Sequence, residues 1–166
     1  MKIRKAKEKD LTAIKNIFEI AKKKMLSDGN GFQWNQEDYP YKLVFNDMDH
    51  GNCYVVVDDK NNVEATFAVI IGDDPCYKLI DGHWLNDMTY CTIHRMASSG
   101  KIPNVFNIIL DYVKENFKMD IRIDTYQYNL RMKHLIEKYG FTYCGTVFMK
   151  DGSPRLAYQL LNNYKM

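Results

Sequence analysis

"IRIDTYQYNLRMKHLIEKYGFTYCG", Ile121–Gly145, changes character three times in twenty-five residues. Asp120–Thr125 reads as a strand and Tyr126–Asn129 as a loop. Asn129–Tyr139 reads as a helix, stopped by Gly140. "FTYCGTVFM" then returns to strand, and with the turn "KDGSP" and "RLAYQLL" it makes a closing hairpin. Strand, loop, helix and strand in this order belong to an α/β sheet.

Just upstream, "IHRMASSGKIPNVFNIIL", Ile93–Leu110, repeats the first three of those steps. Thr89–Ala97 is a strand and Ser98–Ile102 a loop of small residues. A helix follows from Pro103, suited to a first helical position, to about Phe117. Ile102, Val105, Phe106, Ile109 and Val113 share one helical stripe, so Phe106 is expected to point into the core. The strands on either side of this helix should be parallel, joined by a right-handed crossover. Ligands in such sheets bind beyond the carboxyl ends of the strands, here Ser98–Ile102 and Tyr126–Asn129. Two helix N-termini there favour an anion, most naturally a phosphate or pyrophosphate, and Lys101 adds charge at the rim. The same small residues would equally serve a tight strand-to-helix turn.

Working outward, residues around Ile3 form a short first strand. Leu11, Ile14, Phe18, Ala21 and Met25 recur at helical spacing from about Lys9, until "SDGNG" (Ser27–Gly31) stops the helix. Trp34 lies in the following polar, aromatic loop, and Pro40 opens a second helix to about Asp49. "CYVVVD" (Cys53–Asp58) and "VEATFAVIIG" (Val63–Gly72) form a hairpin across "DKNN", while "DDPCYKLIDGHWLND" reads as an irregular loop. The order is β-α-α-β-β-β-α-β-α-β-β: one domain of about seven strands and four helices, with no linker between segments.

The rest of the composition excludes more than it names. The chain has 166 residues, enough for one domain with a sizeable core. A formal net charge of +2 gives no reason to expect a nucleic-acid or membrane partner, and Lys22-Lys23-Lys24 reads as a solvated helix face. No apolar run reaches the roughly 18 residues of a membrane span. Met1-Lys2-Ile3-Arg4-Lys5 runs straight into structured pattern, so no secretion signal is expected. Cys53, Cys76, Cys91 and Cys144 are too widely spaced for a C-x-x-C pair or zinc cluster, so free thiols in a reducing cytoplasm and no metal are expected.

"TIHRMA", the Ile121–Gly145 block and "DGSPRLAYQ" together resemble the GCN5-related N-acetyltransferase (GNAT) superfamily over nearly the whole chain. Asn129 followed by "LIEKYGF" (Leu135–Phe141) is similar to the superfamily's "N…LYEKxGF" segment. The resemblance implies a mixed sheet with a splayed pair of parallel central strands and an acetyl-CoA-dependent transfer. Pantetheine would bind the backbone at Met96 and Ala97 on one side and Asn129 on the other. The loop Gly100, Lys101, Ile102, Pro103, Asn104 would take the pyrophosphate. The acceptor, a small-molecule amine or a protein N-terminus, would enter near Trp34 and Trp84.

Two departures from the superfamily pattern matter. Its pyrophosphate loop reads Q/R-x-x-G-x-G/A, but Asn104 and Phe106 fall where the glycines belong, and Pro103 removes an N–H donor. Ile136 replaces the tyrosine that protonates the leaving thiolate in many relatives. Tyr126, Tyr128, Tyr143 or water could substitute, and Tyr126 at its strand end is the preferred candidate. For the base, His94 has a suitable unperturbed pKa near 6.5, with Asp87 or a water chain as alternatives. Strand alternation places His94 with Tyr90, Thr92 and Met96 on one face, where it could equally be a packing residue. The chain thus reads as an N-acetyltransferase, or alternatively as a non-catalytic module of the same fold with weakened CoA binding. The closing hairpin offers an edge through which a homodimer could form.

Overall fold

In the computed structural model, which describes residues 1–31 and 33–163, the elements follow the expected order with one addition. They are β1 (Lys2–Lys5), α1 (Leu11–Ser27), α2 (Val44–Asp49), β2 (Cys53–Val57), β3 (Val63–Ile71), β4 (Ile80–Gly82), β5 (Tyr90–Ser98), α3 (Val105–Phe117), β6 (Asp120–Thr125), α4 (Leu130–Lys138), β7 (Thr142–Phe148) and β8 (Pro154–Leu160). The sheet is mixed and eight-stranded, in the order β1-β2-β3-β5-β6-β8-β7-β4. The chain groups into two compact units, Met1–Val69 with His94–Tyr112, and Ile70–Ile93 with Val113–Met166.

In the first unit, β1, β2 and β3 pair antiparallel, Lys2 opposite Val57 and Cys53 opposite Ala68. Every residue of β2 is buried, and its alternation divides them between two layers. Cys53, Val55 and Val57 pack with Ile14, Ile17 and Phe18 of α1, Val44 of α2, and Ala97. Tyr54 instead stacks on Phe67 at 5.4 Å and meets Tyr112 of α3 at 5.8 Å. A strand covered on both faces needs no polar positions, which explains the unbroken apolar run "CYVVV".

Arg4 on β1 ties down the turn that starts α1. Its guanidinium donates to both carboxylate oxygens of Asp10, at 2.7 and 2.9 Å, and the Lys7 amide adds a third bond at 2.8 Å. Asp10 is 4% exposed. The hydrogen bonds from Arg4 hold its carboxyl below the usual carboxylate range; burial opposes them and the Lys7 amide assists. Because the folded value lies below the unfolded one of about 3.9, the stabilisation is complete above that pH and is lost as pH falls through the folded value. Urea midpoints at pH 6 and pH 3 should therefore drop further in the wild type than in Asp10→Asn. Equal drops would refute this account.

In the second unit, β5 pairs in parallel with β6 over Tyr90–Thr92 opposite Asp120–Arg122, and β6 runs on three residues beyond the last pair. β8 lies between β6 and β7. The addition is β4, inside the segment expected to be an irregular loop, pairing Ile80 with Val147 and Gly82 with Gly145. The two glycines permit this approach: a Cβ on Gly145 would stand 2.2 Å from the Asp81 carbonyl oxygen. Because β4 covers β7, and β8 is paired on both sides, neither strand of the closing hairpin is an edge. The expected edge for a homodimer is therefore not there.

Several boundaries also move. α3 begins at Val105 rather than Pro103, because Asn104 adopts a left-handed φ of 59° that no helix can include. Pro40 precedes a short 3₁₀ turn, Tyr41–Leu43, and α2 proper is only six residues long. Asn129 is the N-cap of α4, not its first residue.

Candidate active site

In the first unit, the distal half of β5 and the loop after it carry most of the proposed cofactor residues. The extended strand is interrupted at Arg95, whose φ is 53°. A non-glycine residue in this region is strained, and here a bidentate ion pair holds it. Arg95 Nε and Nη2 each donate to Asp47 of α2 at 2.7 Å, with Asp47 4% exposed. Straight alternation through His94, Arg95 and Met96 is thus broken, contrary to the sequence expectation. His94 and Met96 are half-buried, while Ala97 is buried against the α1–α2 cluster.

The following loop is fastened to β3 twice. The Ser99 amide donates to the Glu64 carbonyl at 2.8 Å, and its hydroxyl to the Glu64 carboxylate at 2.5 Å. The same hydroxyl accepts from the Lys101 amide at 3.2 Å. Gly100 has φ 81°, and a Cβ there would find no atom within 4 Å, so the space over it is open to a ligand. Lys101, Pro103 and Asn104 are exposed and Ile102 half-buried. Asn104 caps the approach to α3, its carbonyl accepting from the Ile108 amide at 3.1 Å. The first-turn amides of α3 then point at this loop, as at any helix start. Phe106 is 4% exposed and belongs to the core. Trp34, in the same unit, packs edge-on against Phe18 at 5.8 Å.

In the second unit, Tyr126 and Asn129 come together in one turn, the Asn129 amide donating to the Tyr126 carbonyl at 2.9 Å. The Asn129 side-chain oxygen accepts from the Met132 amide at 3.2 Å, capping α4. The half-buried Tyr126 ring lies under the Arg155 guanidinium at 5.2 Å and beside Tyr128 at 5.4 Å. Ile136 is fully buried, so a tyrosine there would need a different local packing. Burial pushes the Cys53 thiol up to about 11 and that of Cys91 to about 12. Such thiols are poor nucleophiles at neutral pH. No group of metal-ligating side chains occurs among the described residues.

Trp84 belongs to a further cluster of this unit that sequence reasoning missed. Its indole N–H donates to the Tyr77 carbonyl at 2.9 Å, and its ring lies 5.1 Å from that of Tyr77. The Arg122 guanidinium is held between the rings of Trp84, at 4.2 Å, and Tyr90, at 3.9 Å. Two residues along β6, Asp124 accepts the Tyr77 hydroxyl at 2.5 Å. Gln159, fully buried, fixes the loop beneath by accepting from the Leu85 amide and donating to Asn86 and Asp120. The only sequence signal was the polar alternation of Asp120, Arg122 and Asp124 along one strand face.

The fold has clear relatives among solved structures. A GNAT-family acetyltransferase from Streptococcus agalactiae 2603 is 31% identical, with a TM-score of 0.87 over 98% of this chain and 96% of that one. An acetyltransferase structure from Staphylococcus aureus MU50 is 24% identical, with a TM-score of 0.68 over 98% of this chain and all of that one. The NatC complex bound to Gag peptide and CoA contains a chain of the same fold, 15% identical, with a TM-score of 0.60 over 97% of this chain and 99% of that one. No family model matches the chain, and no curated protein does. On the Streptococcus relative, the chain belongs to the GNAT family of acetyltransferases. No helix among the described residues is long and apolar enough to cross a membrane.

Proposed function

We propose that the protein is an acetyl-CoA-dependent N-acetyltransferase acting on a primary amine of a small molecule or a protein N-terminus. The observation that carries this reading is the loop from Gly100 to Asn104. It has left-handed backbone at both ends, open space over Gly100, and a helix start behind it. A pyrophosphate seated there would meet first-turn amides and Lys101. The backbone of Met96 and Ala97, just past the kink at Arg95, is assigned to the pantetheine arm, as is Asn129. The CoA in the NatC structure supports the choice of ligand for this fold. Acetyl-CoA supplies a thioester that an amine attacks directly, so no covalent enzyme intermediate is needed.

The chain's own groups then position the amine and move protons, with His94 as the proposed base and Tyr126 as the proposed acid. Four free cysteines suit a reducing compartment, which we take to be the cytoplasm. Thermal unfolding with and without acetyl-CoA tests the reading. At 100-fold excess over Kd the ligand should add about 2.7 kcal/mol, or roughly 5–11 °C for a chain of this size. No shift at millimolar acetyl-CoA would sink it and favour a non-catalytic module. Free-thiol release across an amine panel would identify the acceptor.

A further inference from the structure

Asp124 differs from the ion-paired carboxylates described above. Asp10 and Asp47 each face an arginine that uses both of their oxygens. Asp124 carries one neutral partner, the Tyr77 hydroxyl on Oδ2, and no lysine or arginine pairs with it among the described residues. Tyr77 is 2% exposed. Burial, with the Asp124 charge beside it, raises its hydroxyl well above the ordinary tyrosine value, so it stays a donor. The carboxylate is thereby held in place from its buried side without being neutralised. Its other oxygen, on a half-buried residue, is left for something else.

The place is informative. Asp124 stands at the carboxyl end of β6, beyond the last residue paired with β5, where open α/β sheets bind ligands. Its partner Tyr77 belongs to an aromatic cluster with Trp84 and Tyr90. The cluster's cation, Arg122, is sandwiched between rings and donates to the Asn86 carbonyl at 2.9 Å. An unneutralised carboxylate beside aromatic rings is suited to an alkylammonium ion.

We propose that Asp124, held by Tyr77, binds the ammonium group of the acceptor, making the substrates cationic alkylamines rather than neutral arylamines. This rests on the acetyltransferase reading, and names the acceptor class for it. Asp124 is an acceptor-binding residue and Tyr77 a positioning residue.

The test uses protein loaded with CoA, the loading itself confirmed by thermal shift. Calorimetric titration is carried out with n-butylamine, tyramine and spermidine, and with n-butanol as the neutral isostere. At least one amine should bind, at least tenfold tighter than butanol. Asp124→Asn, which keeps shape and loses charge, should weaken that amine at least tenfold and leave butanol unchanged. Tyr77→Phe should weaken it about threefold, with CoA binding unaltered. In the wild type, needing no variant, the Asp124 carboxyl ¹³C resonance should move on adding the amine. The proposal is overturned if no amine binds with Kd below 10 mM, if Asp124→Asn binds as tightly as wild type, or if that resonance stays put. Failure of CoA to bind at all would instead remove the acetyltransferase reading.

Discussion

Asp47→Ala is expected to destabilise the protein by about 3–5 kcal/mol, the range for removing one partner of a buried ion pair. Arg95 would be left with an uncompensated charge, its side chain only 14% exposed. It would also be left in a left-handed conformation without the ion pair that ties it to α2. The relevant comparison is Arg95→Gly, which deletes the charge and suits the same φ. The double variant Asp47→Ala, Arg95→Gly should therefore be more stable than Asp47→Ala alone. That sign is opposite to what independent sites would give. Urea unfolding of the four proteins measures it, and a loss below 1 kcal/mol in Asp47→Ala would refute it. The effect should reach the ligand as well. The kink at Arg95 sets the path of the backbone at Met96 and Ala97, the proposed pantetheine-binding positions, so Asp47→Ala should weaken CoA more than Asp10→Asn, whose ion pair fastens β1 to the start of α1.

This pair also marks where sequence reading stops. Arg95 and Asp47 are 48 residues apart, and neither a strand pattern nor a helix stripe predicts their meeting. Periodicity did locate the strands and helices that carry the candidate site, because each has an apolar face to bury. It missed β4 for a related reason. Ile80-Asp81-Gly82 is short and largely exposed, and it is held by backbone pairing and a glycine–glycine approach that leave no apolar trace. Glycine there reads as loop. The Tyr77–Asp124 bond is equally silent, since a buried phenol needs a partner but does not say which. Trp34 and Trp84 were legible as unusual residues, yet the structure shows both of them packing.

The departures in the proposed pyrophosphate loop lead to the second large effect. Phe106→Gly, which makes the loop more like the superfamily pattern, is expected to cost at least about 3–5 kcal/mol. Phe106 lies in the first turn of α3 and is only 4% exposed. Removing the ring opens a cavity, and glycine further weakens the helix by about 1 kcal/mol. Asn104→Gly should behave in the opposite way. At φ 59° asparagine already does the conformational work for which glycine is selected, being one of the few side chains that tolerate the left-handed region. Glycine there should therefore change stability by less than about 1 kcal/mol, whereas Asn104→Val, β-branched and strained, should cost more. If acetyl-CoA binding survives Asn104→Gly and weakens in Asn104→Val, the loop's backbone shape holds the pyrophosphate, and the glycine pattern is one of several ways to make it. If Phe106→Gly is tolerated within 1 kcal/mol, the core assignment of that ring is wrong. The apparent degeneracy of the loop is then two separate substitutions: one conserves a backbone angle, and the other adds to the core.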